Sequence, residues 1–410
     1  MTGVIGLLPS AGHRSLHRPA HGPFFVYSLR HLPIPYSHVM IIGDIQRFLA
    51  EIACCATHEK SLLGKDDNLI PLLPGFSRQL VMQFCIQGVL PSRGNLFFVF
   101  LRILAKFVKT QINNSANSHT MLGAITGDTI GSAYEFQNTK DYNFTLFLGD
   151  SAYTDDSIMT MAVAYWLMTD ERHTYQRLED SFVLFAHKTP CPMGGFGEAF
   201  WRWAFCPQEM EVFNEEYGAS PYKSTTGRHP YGSFGNGSAM RVSSVGWFFD
   251  TLEETVRVAA ISASITHNHP EGIKGAQATA ATIFMARNGA SKQSIREYIE
   301  SKYGYDLHKT WEYWHPIYSW EDGCQGTVPQ AIIAFLDSDS FEDAIRKAVS
   351  LGGDSDTLAC ITGGIAEAYY KEIPKWIVDK VKRPFPRIFN NLLDEMRNRT
   401  VYGQVCRITG

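Results

Sequence analysis

The chain has 410 residues, 45% hydrophobic and 19% charged, an ordinary globular balance with room for one large or two ordinary domains. A net charge of −4 gives no nucleic-acid signature. The eight cysteines form no CxxC pair and no zinc spacing, which argues against a disulfide framework and for reduced thiols in a cytoplasmic protein.

Residues 1–120 hold 11 Lys/Arg against 5 Asp/Glu, whereas 121–410 hold 26 against 36. The first part is Pro- and His-rich in places and lacks sustained periodicity before about residue 76. Its apolar run from Asn95 to Val108 is interrupted by Arg102 and Lys106, too short and too charged for a membrane span. It reads as a basic amphipathic helix on a surface or as a packed helix. Residues 110–120 are polar and linker-like. Two accounts of residues 1–120 stay open: a native extension, or an upstream piece of reading frame ahead of a natural start at Met121.

From Met121 the pattern is helical. Gly123, Gly127 and Gly131 recur every four residues, so they share one helix face and let another backbone approach. Asp128 and Glu135 are two turns apart, with Glu135 where the segment closes. Next comes Thr154-Asp155-Asp156 ahead of an apolar run, Ile158 to Met168. Thr154 suits an N-cap and the aspartates suit the positive end of a helix dipole. A loop from Gly232 to Arg241 (GSFGNGSAMR) follows, whose glycines expose N–H groups able to meet an anion. A plain turn before a helix would look similar.

Thr251 to Ala263 reads as a helix, and Thr266-His267-Asn268-His269-Pro270 interrupts the pattern. His267 and His269 are spaced for lining or bracing a pocket, or for capping, and not as a helical zinc pair. Pro270 suits the start of the next helix, and Asn288-Gly289 its stop. Helices are also expected over 291–302, 327–336 and 340–349. Trp311 to Trp320 reads as a packed aromatic loop.

The second acidic motif is Gly352-Gly353-Asp354-Ser355-Asp356-Thr357, again opening a small-residue helix. One aspartate suffices to cap a helix. A second so close repels the first unless a proton or cation separates them, and hard cations with oxygen ligands are the natural choice. Together with Glu135 the two motifs offer five carboxylates and two hydroxyls, enough for two magnesium ions completed by water. Strand-like alternation is scarce. The expectation for 121–410 is an all-α, compact multi-helix domain, with its site where helix N-termini converge.

In order and in kind, Gly127-Asp128-Thr129-Ile130-Gly131 with Glu135, then Thr154-Asp155-Asp156, Gly235 to Arg241, Thr266 to Pro270 and Gly352 to Thr357 resemble the ADP-ribosylglycohydrolase family. That family includes the dinitrogenase reductase-activating glycohydrolases. The resemblance covers nearly all of 121–400 and nothing before it. It implies an all-α fold with a binuclear magnesium or manganese centre. Thr154, Asp155 and Asp156 would hold one ion, Asp354 and Thr357 the other, and Asp356 would bridge them. Glu135, with Asp155 and Asp356, would carry the catalytic chemistry. The loop bearing Ser233, Phe234, Gly235, Asn236, Gly237, Ser238 and Met240 would cradle the diphosphate or distal ribose, with His267 at the pocket. The implied reaction is hydrolysis at C1 of the distal ribose in an ADP-ribosylated protein or small ADP-ribose conjugate, by a monomer. Two rivals are a non-catalytic ADP-ribose-binding or structural member, and a metal-dependent phosphoesterase. The linkage cleaved is not encoded in any motif.

Overall fold

The computed structural model describes residues 121–209, 222 and 224–409. The expectations for 1–120, including the 95–108 helix and a start at Met121, lie outside the described residues. All but the end of the last helix belongs to the unit Pro91–Arg407. The helices are α1 (Leu122–Gly131), α2 (Asp155–Thr169), α3 (Tyr175–Lys188) and α4 (Glu198–Phe205). Then come α5 (Gly237–Met240), α6 (Ser243–Phe248), α7 (Leu252–Ser264) and α8 (Pro270–Arg287). The chain continues through α9 (Lys292–Tyr303), α10 (Trp311–Trp314), α11 (Cys324–Leu336) and α12 (Phe341–Ser350). It closes with α13 (Ser355–Tyr370), α14 (Lys375–Lys382) and α15 (Arg387–Thr409). Among the described residues there is no strand, only two isolated bridges. The all-α expectation holds for them.

The centre is the pair α1 and α13. Every residue of α1 is buried, as is α13 from Ser355 to Ala368. A helix without a polar face belongs inside, and α2, α8, α11, α12 and α14 pack around this pair. The two helices meet backbone to backbone. A Cβ on Gly127 would stand 1.8 Å from the Ala359 carbonyl oxygen, and one on Gly123 2.3 Å from that of Gly363. The four-residue glycine spacing therefore marks a helix contact. At its end, the Gly123 N–H donates to Glu367 Oε2 at 2.8 Å. Glu367 thus does for α1 what Met121, whose side chain makes no capping bond, does not. A carboxyl oxygen is a fitting acceptor there, since helix N-termini carry unpaired N–H groups.

Caps mark the other starts as read. Thr251, Ser291 and Ser340 each accept an N–H from the first turn of α7, α9 and α12. Pro270 opens α8 and Asn288 closes it. Three details differ. The helix from Met121 stops at Gly131, and a 3-10 turn over Ser132–Tyr134 carries the chain to Glu135. Pro374 reads from the sequence as the stop of the helix after the second acidic motif, but the turn at Lys371, with a left-handed φ of 60°, ends α13, and Pro374 caps α14. The aromatic stretch 311–320 contains α10 and is only partly packed: Tyr313, Ile317 and Trp320 are exposed.

Candidate active site

The two acidic motifs meet because α1 and α13 touch. Gly131 abuts Ser355 and Asp356: a Cβ on it would lie 2.4 Å from the Ser355 carbonyl oxygen. Ser355 spends its hydroxyl on the Gly131 carbonyl at 3.0 Å, so it is tied to packing and turned from the cluster. Before it, Gly352 and Gly353 both take positive φ, 72° and 73°, a conformation glycine adopts without Cβ strain. That turn delivers Asp354 at the N-terminus of α13. Asp354 stands in the cap position yet makes no side-chain cap bond. Its Oδ2 instead accepts from Asn236 Nδ2 at 2.7 Å. Helix capping therefore does not account for this motif.

The first motif is anchored from beneath by Asp128. Its Oδ1 accepts the Thr154 hydroxyl at 2.8 Å, and its Oδ2 accepts the Thr154 N–H at 2.9 Å and the Ser157 N–H at 3.0 Å. The Ser157 hydroxyl donates there too. Burial pushes the Asp128 carboxyl up to about 6, against the opposing pull of these donors. Asp128 is fully buried and absent from the cavity wall. It is a brace on the start of α2, and its local signal was an aspartate in an otherwise small and apolar helix.

Above the brace lies a cavity of about 440 Å³. Glu135, Asp155, Asp156, Asp354, Asp356 and Thr357 all line it. Carboxylate oxygens of Glu135, Asp354 and Asp356 come within 4.8 Å of one another. Thr357 Oγ1 donates to Asp156 Oδ2 at 3.2 Å, and the Thr357 N–H to Asp356 Oδ1 at 3.0 Å. Thr154 is buried at the edge of this group. Its hydroxyl donates to Asp128 Oδ1 at 2.8 Å and lies 3.4 Å from Asp356 Oδ2. Burial, then neighbouring carboxylates, push Asp155, Asp156 and Asp356 well above the usual carboxylate range. The same causes, burial before Asp354 and Asp128, bring Glu135 up to about 7. Two buried oxygens, Asp156 Oδ1 and Glu135 Oε2, have no hydrogen-bond partner.

Arg241, the one Arg or Lys among the described residues that line the cavity, does not neutralise this charge. Its Nη2 donates to the Ser262 carbonyl at 3.0 Å and the Thr266 hydroxyl at 2.7 Å. An oxygen-only donor set with unpartnered oxygens and, among the described residues, no paired cation fits hard divalent ions. Asp155, Asp156, Asp354, Asp356, Thr154 and Thr357 are the residues suited to hold them.

The glycine-rich loop forms the facing wall. Ser233, Gly235, Asn236, Gly237 and Met240 line the cavity. Gly235 bridges to Gly323, and the Asn236 N–H donates to the Asp322 carbonyl at 2.7 Å, which ties the loop to the start of α11. Two of its members point elsewhere. Ser238 is buried and donates to the Gly272 carbonyl at 2.7 Å, holding α5 to α8. Phe234 is exposed and sets its ring edge-on to His269 at 5.5 Å. His267 lines the cavity beneath the glycines: a Cβ on Gly237 would lie 3.0 Å from its Nε2. Its Nδ1 shares a hydrogen bond with the Thr266 hydroxyl at 2.8 Å. Burial, and next Arg241, hold His267 well below its ordinary value, hence neutral. His269 caps α8 by accepting the Glu271 N–H at 3.0 Å. Three wall elements had no sequence signal of their own: the Gly194-to-Phe200 stretch, Tyr231 and Asp322.

The arrangement is an all-helical cavity walled by carboxylates that can hold divalent ions. Residues 118–404 match the family model described as ADP-ribosylglycohydrolase, and the chain belongs to that family. It is 25% identical to ADP-ribosylhydrolase ARH3 of Bos taurus over 319 residues, covering 62% of this chain and 85% of that protein. It is likewise 25% identical to ADP-ribosylhydrolase ARH3 of Homo sapiens over 312 residues, 61% of this chain and 84% of that one. A solved structure described as an ADP-ribosylglycohydrolase-related protein complex covers 74% of this chain and 100% of its own, at 21% identity and a TM-score of 0.49. Membership makes the chain a glycohydrolase, of a metal-dependent family that acts on ADP-ribosylated substrates. Among the described residues no helix is long and apolar enough to cross a membrane.

Proposed function

We propose that this protein hydrolyses the glycosidic bond at C1 of the distal ribose in ADP-ribosylated substrates, with two magnesium or manganese ions, and releases ADP-ribose. The observation that carries the reading is the convergence of Glu135, Asp155, Asp156, Asp354 and Asp356 on one cavity, with no basic side chain among the described residues paired to them. A reader or structural protein has no use for so costly a cluster. When bound, the paired ions supply an activated water and a hold on the ribose hydroxyls.

The chain's own groups do the rest. Glu135, on the cavity wall beside Asp354 and Asp356, is placed to pass a proton to the leaving group. The surrounding carboxylates favour positive charge growing at C1. Asn236 holds Asp354 in orientation through its amide. Ser233, Gly235, Asn236, Gly237 and Met240 form the wall against which the diphosphate or distal ribose lies. His267, kept neutral, adds no charge to that wall.

The test is a panel of ADP-ribosyl-serine, ADP-ribosyl-arginine, O-acetyl-ADP-ribose and ADP-ribosylated nucleic acid, with magnesium and with chelator. Intact ADP-ribose is the expected product, and AMP with ribose phosphate would identify a phosphoesterase instead. Asp156→Ala and Asp354→Ala should each abolish magnesium-dependent release while the helical fold survives. Undiminished release by either variant would refute the assignment.

A further inference from the structure

A cavity of about 440 Å³ holds a small molecule and not a polypeptide. If the acceptor is a protein, it lies across the rim, on the side where Glu135 meets the bond to be cut. The next residue is Phe136. It lines the cavity mouth with 72% of its surface exposed, and its ring stacks on Trp320 at 6.2 Å and 18°. Trp320 is itself 47% exposed. Stacking alone does not bury this pair, and exposed aromatic surface beside a site marks a contact surface.

The stretch that carries Trp320 is acidic, and Lys140 beside it spends its ammonium on the carbonyls of His315, Tyr318 and Leu351. Glu321 and Asp322 follow Trp320 directly, and both are exposed. Residues 311–323 contain three acidic residues and no lysine or arginine. Exposed aromatic faces next to unpaired carboxylates suit a guanidinium or ammonium group, which gains from the ring quadrupole and from the opposite charge. They repel the phosphates of a nucleic acid.

We propose that Phe136, Trp320 and Glu321 form a docking platform for a lysine- or arginine-rich polypeptide segment flanking the ADP-ribosylated residue. The inference rests on the cavity being the glycohydrolase site. It adds the chemistry of the acceptor protein, which the cavity leaves open.

The test compares three conjugates of whichever linkage the full-length protein cleaves with magnesium. One is a modified peptide flanked by lysines, one the same peptide flanked by glutamates, and one the modified amino acid alone. The lysine-flanked peptide should show a KM at least about tenfold lower than the glutamate-flanked one. Trp320→Ala and Glu321→Lys should each erase that difference and leave the amino-acid conjugate unchanged. Equal KM for the two peptides would overturn the platform. So would variants that slow all three conjugates by one factor, or a preference for modified single-stranded nucleic acid over both peptides. If no conjugate releases ADP-ribose, the hydrolytic reading fails by itself. The platform is then judged by anisotropy of the labelled lysine-flanked peptide: tighter binding to wild type than to Glu321→Lys supports it, and equal binding overturns it.

Discussion

Asn138 and Gly353 bind each other twice. Asn138 Oδ1 accepts the Gly353 N–H at 2.7 Å, and its Nδ2 donates to the Gly353 carbonyl at 2.9 Å. The same Nδ2 reaches the Tyr134 and Glu135 carbonyls, each at 2.8 Å. One exposed amide thus fixes the backbone of Glu135 against the turn that presents Asp354. Lys140 adds a second tie by donating to the carbonyls of His315 and Tyr318 at 2.8 Å and to that of Leu351. Asn138→Ala removes four hydrogen bonds and should cost about 2–4 kcal/mol of stability, at roughly 1 kcal/mol for each bond less what water restores at an exposed residue. It should lower kcat at least about tenfold, because a misplacement near 1 Å is costly in catalysis. Steady-state kinetics beside a denaturant melt checks both. A loss of stability without loss of kcat would sink the positioning role.

The acidic cluster destabilises the ion-free protein. Asp356 is buried and held well above the usual carboxylate range by burial and by Asp354. In chelator, Asp356→Asn should therefore raise Tm, by at least the 2 °C or so that roughly 1 kcal/mol gives in a large domain. Magnesium should raise the wild-type Tm by mass action and leave the variant nearly unmoved. Differential scanning fluorimetry reads both effects. A variant less stable than wild type in chelator would contradict the repulsion.

Glu367 couples the fold to pH. Burial raises its carboxyl from the ordinary 4.5 to about 8, despite the N–H groups of Gly123, Leu122 and Met121. Below pH 4.5 both folded and unfolded chains hold the proton, and the contribution is fully present. Between 4.5 and about 8 the unfolded chain releases it while the folded chain keeps it, so stability falls as pH rises. Glu367→Gln should flatten that part of the stability profile. Urea melts at several pH values, in chelator so that the cluster contributes equally to both proteins, give the comparison. Parallel slopes would rule the residue out.

The glycine contact between α1 and α13 allows no side chain. Gly127→Ala would force a methyl within 1.8 Å of the Ala359 carbonyl oxygen, a backbone atom that cannot swing away. A loss of 3 kcal/mol or more, or no folded protein at all, is expected, at or beyond the upper end of ordinary overpacking. Gly149→Ala is the control, since a Cβ there meets nothing within 4 Å. Circular dichroism melts of the two variants should differ plainly, and equal melts would mean that the helices do not touch as described.

Much of the site was legible because its chemistry is local in sequence. Thr154-Asp155-Asp156 and Gly353 to Thr357 are short runs whose surplus charge is visible without coordinates. The glycines of α1 announced a close neighbour, though not that the neighbour was α13. What was hidden depends on folding. Asp128 looked like one more acidic residue until its two oxygens were seen to hold Thr154 and Ser157. Ser238 and Phe234 sit in the same segment as Gly235, yet Ser238, on α5, turns toward α8, and Phe234, in the loop ahead of α5, turns toward solvent. The exposure of Trp320 was illegible too, because an aromatic run gives no sign of which rings find partners.

The backbone contact of α1 with α13 has one more consequence. Cores tolerate exchange of Leu for Ile or Met because side chains repack, and helices resting on such side chains shift as their bulk changes. Here the spacing between the Glu135 arm and the Asp354 arm is set by peptide groups in direct touch, whose thickness no substitution alters. Sequence drift elsewhere in the core can proceed while this separation stays constant, so the acidic centre is insulated from the evolution of the protein around it.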